Sequence, residues 1–101
     1  MTVIGLTADG KKIVHRIESG PSSGAWTVTL GELQKIEALN VAVKTHRKTD
    51  NLVEIVDYAV SGNTITFTVY TLDVTGTSPV AWTEDTGDRS GLTLEIIAIG
   101  Y

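Results

Sequence analysis

The sequence predicts an all-β protein: an antiparallel β-sandwich or small barrel with at most one short helical turn. Three observations lead there. Thr, Val and Ile are abundant while Pro occurs twice and Met once, a composition suited to pleated strands. Apolar and polar residues alternate in short runs, the period of a half-buried strand. These runs recur every ~10–15 residues, separated by Gly, Asp, Ser and Thr, the rhythm of a sandwich or barrel. With 101 residues, 42% of them hydrophobic and 20% charged, the chain fits one domain, 1–101, around one core. Residues 1–10 are expected as a flexible or docking arm.

Taken in order, TVIGLT near the N-terminus gives a short strand, and KKIVHRIE gives one with weak alternation. SGPSSG (19–24) reads as a flexible break. AWTVTL places Trp26, Val28 and Leu30 on one face and Thr27 and Thr29 on the other. GELQKIEAL can begin as one helical turn with Leu33 and Ile36 inward, too short to organise a fold. EALNVAVKTH then puts Leu39, Val41 and Val43 inward and Asn40, Ala42 and Lys44 outward.

YAVSGNTITFTVY gives the clearest local signal. Gly62-Asn63 is a two-residue hairpin turn, because Gly takes positive φ without a clash and Asn tolerates it. That turn sets Ser61 against Thr64, Val60 against Ile65, Tyr58 against Phe67 and Val56 against Val69. The same register gathers the large apolar residues on one face and Asp57, Ala59, Thr66 and Thr68 on the other. Turn chemistry and apolar pattern thus choose one register independently. Residues 73–91 follow as a long loop, a place where contacts and function concentrate. Pro79-Val-Ala-Trp82 is an apolar island within it.

The last strand, LTLEIIAIGY, starts with Leu92, Leu94 and Ile96 against Thr93 and Glu95. Ile97, Ile99 and Tyr101 then make the second face apolar too. Burying both faces needs two covers. We expect one to be a neighbouring subunit, with residues 2–6 or the Trp82 loop as the intramolecular alternative.

Composition excludes several chemistries. No cysteine is present, which removes disulfides, thiol nucleophiles and thiolate metal sites. A net charge of −4 and a pI near 4.9 leave no basic nucleic-acid footprint beyond a small cluster at Lys44, His46, Arg47 and Lys48. No apolar run reaches the ~20 residues of a membrane helix. MTVIGLTADGKK lacks the basic start and apolar stretch of a signal peptide. No nucleic acid, membrane or cofactor is therefore expected as a partner.

Candidate chemical motifs are sparse. Gly5-Leu-Thr-Ala-Asp-Gly10-Lys11-Lys12 approaches GxxxxGK[ST]. Lys12, however, replaces the Mg²⁺-holding hydroxyl, and a strand pattern replaces the phosphate-cradling helix. A β-turn at Ala8-Asp9-Gly10 with solvated lysines is expected. His15 and His46, with Asp57 or Glu37, lack local metal-ligand spacing. Glu84, Asp85 and Asp88 surround Gly87, but their spacing is that of a solvated turn and not of an EF-hand loop. Nothing matches a nucleophile elbow, so no catalytic or metal residue is assigned. Trp26 belongs to an alternating strand and is expected in the core. Trp82 is an interface anchor, a stacking platform for a sugar, or a cap on the sandwich.

The layout resembles small structural proteins encoded among the virion genes of tailed bacteriophages. IEALNVAVKTH, then VSGNTITFTVYTLD, then a Gly/Thr/Ser-rich loop and DRSGLTLEIIAIGY carry that resemblance over roughly residues 26–101. The resemblance implies a non-enzymatic virion protein: a head decoration (cement) protein first, a tail or fibre component second. Its partners would be the major capsid protein or tail proteins, and its location the virion, assembled in the host cytoplasm. A homo-oligomer, with a trimer as the first expectation, would bury Ile97, Ile99, Tyr101, Trp82, Val3 and Ile4. A small carbohydrate-binding β-sandwich using Trp82 and Tyr70 is the alternative, and a metal-dependent enzyme a more distant one.

Overall fold

The computed structural model describes residues 2–47, 52–74 and 81–101, with the backbone alone at residues 2–4 and 52. Eight strands form in order: β1 (Thr2–Leu6), β2 (Lys12–Ser19), β3 (Trp26–Thr29), β4 (Ile36–Thr45), β5 (Leu52–Ser61), β6 (Thr64–Asp73), β7 (Thr83–Asp85) and β8 (Thr93–Gly100). They make two antiparallel sheets. The first runs β1-β2-β8-β4, and the second runs β3-β6-β5 with β7 also paired to β6. The described strands close no barrel, so the sandwich is the architecture formed.

One apolar cluster fills the space between the sheets. Val14 from β2, Ile36 from β4 and Leu94, Ile96 and Ala98 from β8 meet Trp26 and Val28 from β3 and Ile65, Phe67 and Val69 from β6. Leu39, Val41, Val43 and Val56 pack around its margin. Leu30, Leu33 and Leu92 enter it from connections. Trp26 is stacked at a tilt on Phe67, ring centroids 5.1 Å apart. Trp26, Val28, Leu39, Val41 and Val43 thus point inward as their alternation predicts.

The β5–β6 hairpin has the expected register: Ser61 opposite Thr64, Val60 opposite Ile65, Tyr58 opposite Phe67 and Val56 opposite Val69. Gly62 takes φ +61° at the turn, a conformation disfavoured for other residues. The turn also serves the packing. The Asn63 side-chain amide donates to the Leu33 carbonyl (2.9 Å), and Ile36 N–H donates to the Gly62 carbonyl (2.9 Å). Residues 31–35 form turns and no helix. Leu33 and Ile36 are buried as expected.

Two loop expectations change. The 19–24 stretch is pinned at both ends. Gly20 donates to the Leu92 carbonyl (2.9 Å), Arg89 N–H to the Pro21 carbonyl (2.9 Å) and Gly24 to the Thr86 carbonyl (3.1 Å). The 73–91 stretch contains β7, whose Thr83, Glu84 and Asp85 pair with Thr71, Tyr70 and Val69. Such a short strand exists because β6 offers it an edge, since Glu84 and Asp85 are poor strand formers.

Candidate functional site

The topology makes β8 a central strand, and its two faces meet different surroundings. Leu94, Ile96 and Ala98 face the core. On the other face, register sets Ile97 between His15 and Asn40, Ile99 between Ile13 and Ala38, and Glu95 between Ile17 and Ala42. Directly opposed residues in antiparallel strands share a face. Ile13, Ile17, Ile97, Ile99, Ala38 and Ala42 therefore form one apolar strip across the outside of the first sheet. Neighbouring side chains leave Ile97 and Ile99 half-buried, while Ile17 is exposed. A shallow depression of about 170 Å³ opens beside Ile97 and Ile99, where Ala38 and Asn40 leave room.

One polar pair crosses this strip. His15 Nε2 lies 3.2 Å from Glu95 Oε2. The mutual contact limits the desolvation cost of covering the face, because each polar group already has a partner.

The other expected interface residues fall elsewhere. Tyr101 is exposed, and its backbone is tied down by Lys35 N–H and Gln34 N–H donating to its carbonyl (3.1 and 2.6 Å). Trp82, 43% exposed, precedes β7 on the second sheet, so it does not join Ile97 and Ile99. Val3 is opposite Val14, and Ile4 occupies the register shift between Val3 and Gly5; the side chains of both lie outside the described residues. Strand β1 adds to the edge of β2 in the first sheet, and residues 75–80 of the Trp82 loop lie outside the described residues.

The motifs considered for chemistry resolve into structural contacts. Residues 8–10 are the expected turn, with Gly10 at φ +84° and its N–H donating to the Thr7 carbonyl (3.0 Å). Lys11 pairs with Glu37 and Asp9, and Lys12 Nζ donates to the Glu32 carbonyl (3.0 Å). Strand β2 follows where a nucleotide loop needs a helix. Among the described residues, no three His, Asp or Glu side chains gather as a metal cage. Asp85 is engaged by Arg47 (2.8 Å) and by the Gly87 amide (2.9 Å). His15 and His46 pair separately with Glu95 and Glu54. Arg47 of the basic cluster is also consumed: Nη2 lies 2.7 Å from Glu54 Oε2, and Lys48 lies outside the described residues.

Sequence reasoning missed Arg89, which is only 2% exposed. Its guanidinium donates to the carbonyls of Gly24, Gly87 (3.0 Å) and Thr86 (3.4 Å). It thereby locks the gap where β3 and β7 sit end to end along β6. A depression of about 260 Å³ lies over this junction, lined by Trp26, Phe67, Thr68, Glu84 and Arg89 among others. Three backbone acceptors make Arg89 a structural tie. A single Arg in DRSG carries no pattern that would announce it.

Among the described residues no helix is long and apolar enough to cross a membrane. No family model, curated protein or solved structure matches the chain.

Proposed function

We propose that the protein is a non-enzymatic assembly protein of a tailed-bacteriophage virion, foremost a head decoration protein that reinforces a shell of larger subunits. One observation carries the reading. Ile13, Ile17, Ile97 and Ile99 form an apolar strip on the outer face of the first sheet, and the polar His15 and Glu95 that cross it contact each other. Faces of that kind lose hydration cost when another protein covers them. The resemblance to small virion proteins supplies the virion setting. A net charge of −4 would keep free copies dispersed before they dock.

Light-scattering mass across a wide concentration range tests the assembly role, with Ile97→Asp as the control. A closed oligomer, a trimer first, that Ile97→Asp dissolves supports it. A monomer at every concentration, unchanged by the substitution, removes self-association through this face. The virion setting is tested separately by mass spectrometry of purified particles, which must contain peptides of this chain.

The exposure of Trp82 keeps a second reading. A carbohydrate would stack on Trp82, with Thr83 and Glu84 available for hydrogen bonds. A saturable fluorescence change with one member of a glycan panel, abolished by Trp82→Ala, would favour it over the assembly reading.

A further inference from the structure

Among the described residues the two sheets leave four lateral edges, and three carry features that discourage pairing with another chain. The β1 edge has a register shift between Val3 and Gly5. The β4 edge has two, at Ile36/Ala38 and Val43/Thr45. The β3/β7 edge is split into strands of four and three residues. The β5 edge differs. It runs ten residues, Leu52 to Ser61, in unbroken register with β6. LVEIVDYAVS contains no Pro, Lys or Arg. Val53, Ile55, Tyr58 and Val60 are each 42–47% exposed, two on either face of the strand.

Backbone geometry says which groups that edge offers. A two-residue turn makes Ser61 and Thr64 a hydrogen-bonded pair, so pairing to β6 alternates with Ser61, Ala59, Asp57 and Ile55. Val60, Tyr58 and Val56 then direct N–H and C=O away from the sheet. Tyr58 N–H fits this, because it donates to the Asp57 side chain (2.9 Å) and not to β6. The amide at the middle of the edge is held by a carboxylate that can swing aside.

We infer that β5 is a second, self-complementary interaction site. It pairs antiparallel with β5 of a second copy about a two-fold axis at Tyr58, joining the two second sheets into one. Strand β5 itself selects this occupant and register. With the axis at Tyr58, Val56 meets the partner subunit's Val60, Asp57 meets the partner subunit's Ala59, and Ile55 meets the partner subunit's Ser61. An axis at Asp57 would oppose two carboxylates, which is unfavourable in a cross-strand pair. An axis at Val56 would oppose Glu54 to the partner subunit's Tyr58, and one at Ala59 would shorten the seam. The chosen seam extends the hydrogen-bond ladder and brings the exposed Tyr58 and Val60 of both copies together beneath it.

Ala59 supplies the test. It is exposed on the outer face, so charged substitutions there leave the core intact. In the paired register each copy's residue 59 faces the other's Asp57. We expect wild-type protein to dimerise reversibly between ~10 μM and ~1 mM in sedimentation velocity, the range of a small interface. Ala59→Asp should weaken the dimer at least about tenfold, and Ala59→Lys should tighten it about threefold, from two symmetric cross-strand charge pairs. Circular dichroism and melting temperature confirm folding of both variants. Wild-type protein that stays monomeric throughout, a dimer indifferent to Ala59→Asp, or one weakened equally by both charges would overturn the inference. A dimer lost with Ile97→Asp but indifferent to Ala59→Asp would overturn it while leaving the first-sheet assembly face standing.

Discussion

Arg47 and Glu54 grip each other across the connection between the two sheets. Arg47 follows β4 of the first sheet, and Glu54 belongs to β5 of the second. Nε and Nη2 of Arg47 both donate to Glu54 Oε2 (3.0 and 2.7 Å), while Arg47 N–H donates to Oε1 (3.1 Å). Nη1 reaches Asp85 of β7 (2.8 Å) and the Asp88 carbonyl (2.9 Å). One guanidinium therefore ties both long strands at this end of the sandwich to the loop that precedes β8.

Removing that guanidinium should cost more than an exposed ion pair. The Glu54 side chain is only 9% exposed, so Arg47→Ala leaves a largely buried carboxylate with its Oε2 donors gone and only the residue 47 amide and His46 beside Oε1. We expect a loss of about 2–3 kcal/mol in urea unfolding, or roughly 10–15 °C in melting temperature for a domain of this size. Arg47→Lys should recover less than half, because an ammonium cannot reproduce the fork of donors. A loss below ~0.5 kcal/mol for Arg47→Ala would show that the corner is held by its backbone alone.

Acid should weaken the fold from below about pH 4.5. Burial, the largest single influence on Asp85, raises its pKa, but the Gly87 amide and the hydrogen bond and charge of Arg47 together hold it below its ordinary 3.8. The Ser90 hydroxyl and amide lower Asp88, and the Thr7 hydroxyl lowers Asp9. Each carboxyl is a stronger acid folded than unfolded, so the unfolded chain binds more protons in this range. Their contribution is complete above the unfolded value and is lost as pH falls through the lower folded values. The urea midpoint should drop steadily below about pH 4.5, and Arg47→Ala should flatten the part owed to Asp85. A midpoint unchanged down to pH 2.5 would contradict these assignments.

What could be read from the sequence was local. The β5–β6 register was legible because Gly62-Asn63 and the alternation of Val56, Tyr58, Val60, Ile65, Phe67 and Val69 impose the same pairing. Strand β7 was not, because Thr83–Asp85 owes its conformation to a partner edge on β6. The apolar second face of β8 was visible as Ile97 and Ile99. Its neighbours were not, since Ile13 and Ala38 lie more than sixty residues away and meet Ile99 only through sheet order. The same non-locality separated Trp82 from Ile97. Both are apolar residues in the last fifth of the chain, yet the fold sends them to opposite sheets. Likewise SGPSSG looked flexible because its tethers, Leu92, Arg89 and Thr86, come from the far end of the chain.

Gly100 is the glycine whose replacement should be felt most in the first sheet. A Cβ placed there would lie 2.0 Å from the Lys35 carbonyl oxygen and 3.3 Å from the Ile36 Cα. Backbone, and no flexible side chain, stands in the way. Gly100→Ala must push the start of β4 off β8, disturbing the Lys35 N–H to Tyr101 carbonyl bond (3.1 Å). A loss of about 2–4 kcal/mol is expected in chemical denaturation. Gly31→Ala is the matched control: an added Cβ there meets nothing within 4 Å, so it should stay within ~0.5 kcal/mol of wild type. Similar stability for the two variants would mean that β4 enters the sheet by another path.

Trp82 and Trp26 should separate cleanly in fluorescence. Trp26 is 3% exposed against Phe67, whereas Trp82 is 43% exposed. The wild-type spectrum should therefore sum a blue-shifted, quencher-resistant component and a red-shifted one open to iodide. Trp82→Ala should remove the second component, shift the remaining maximum to the blue and leave stability within about 0.5 kcal/mol, since little packing is lost at an exposed site. If the variant instead stays fully quenchable, Trp26 is not in the core and the arrangement of β3 on β6 is wrong. If it loses more than ~2 kcal/mol, Trp82 caps the sandwich, its third expected role. The same variant then serves the glycan titration. With Trp26 as the one remaining reporter, a sugar-dependent change that persists cannot come from stacking on Trp82.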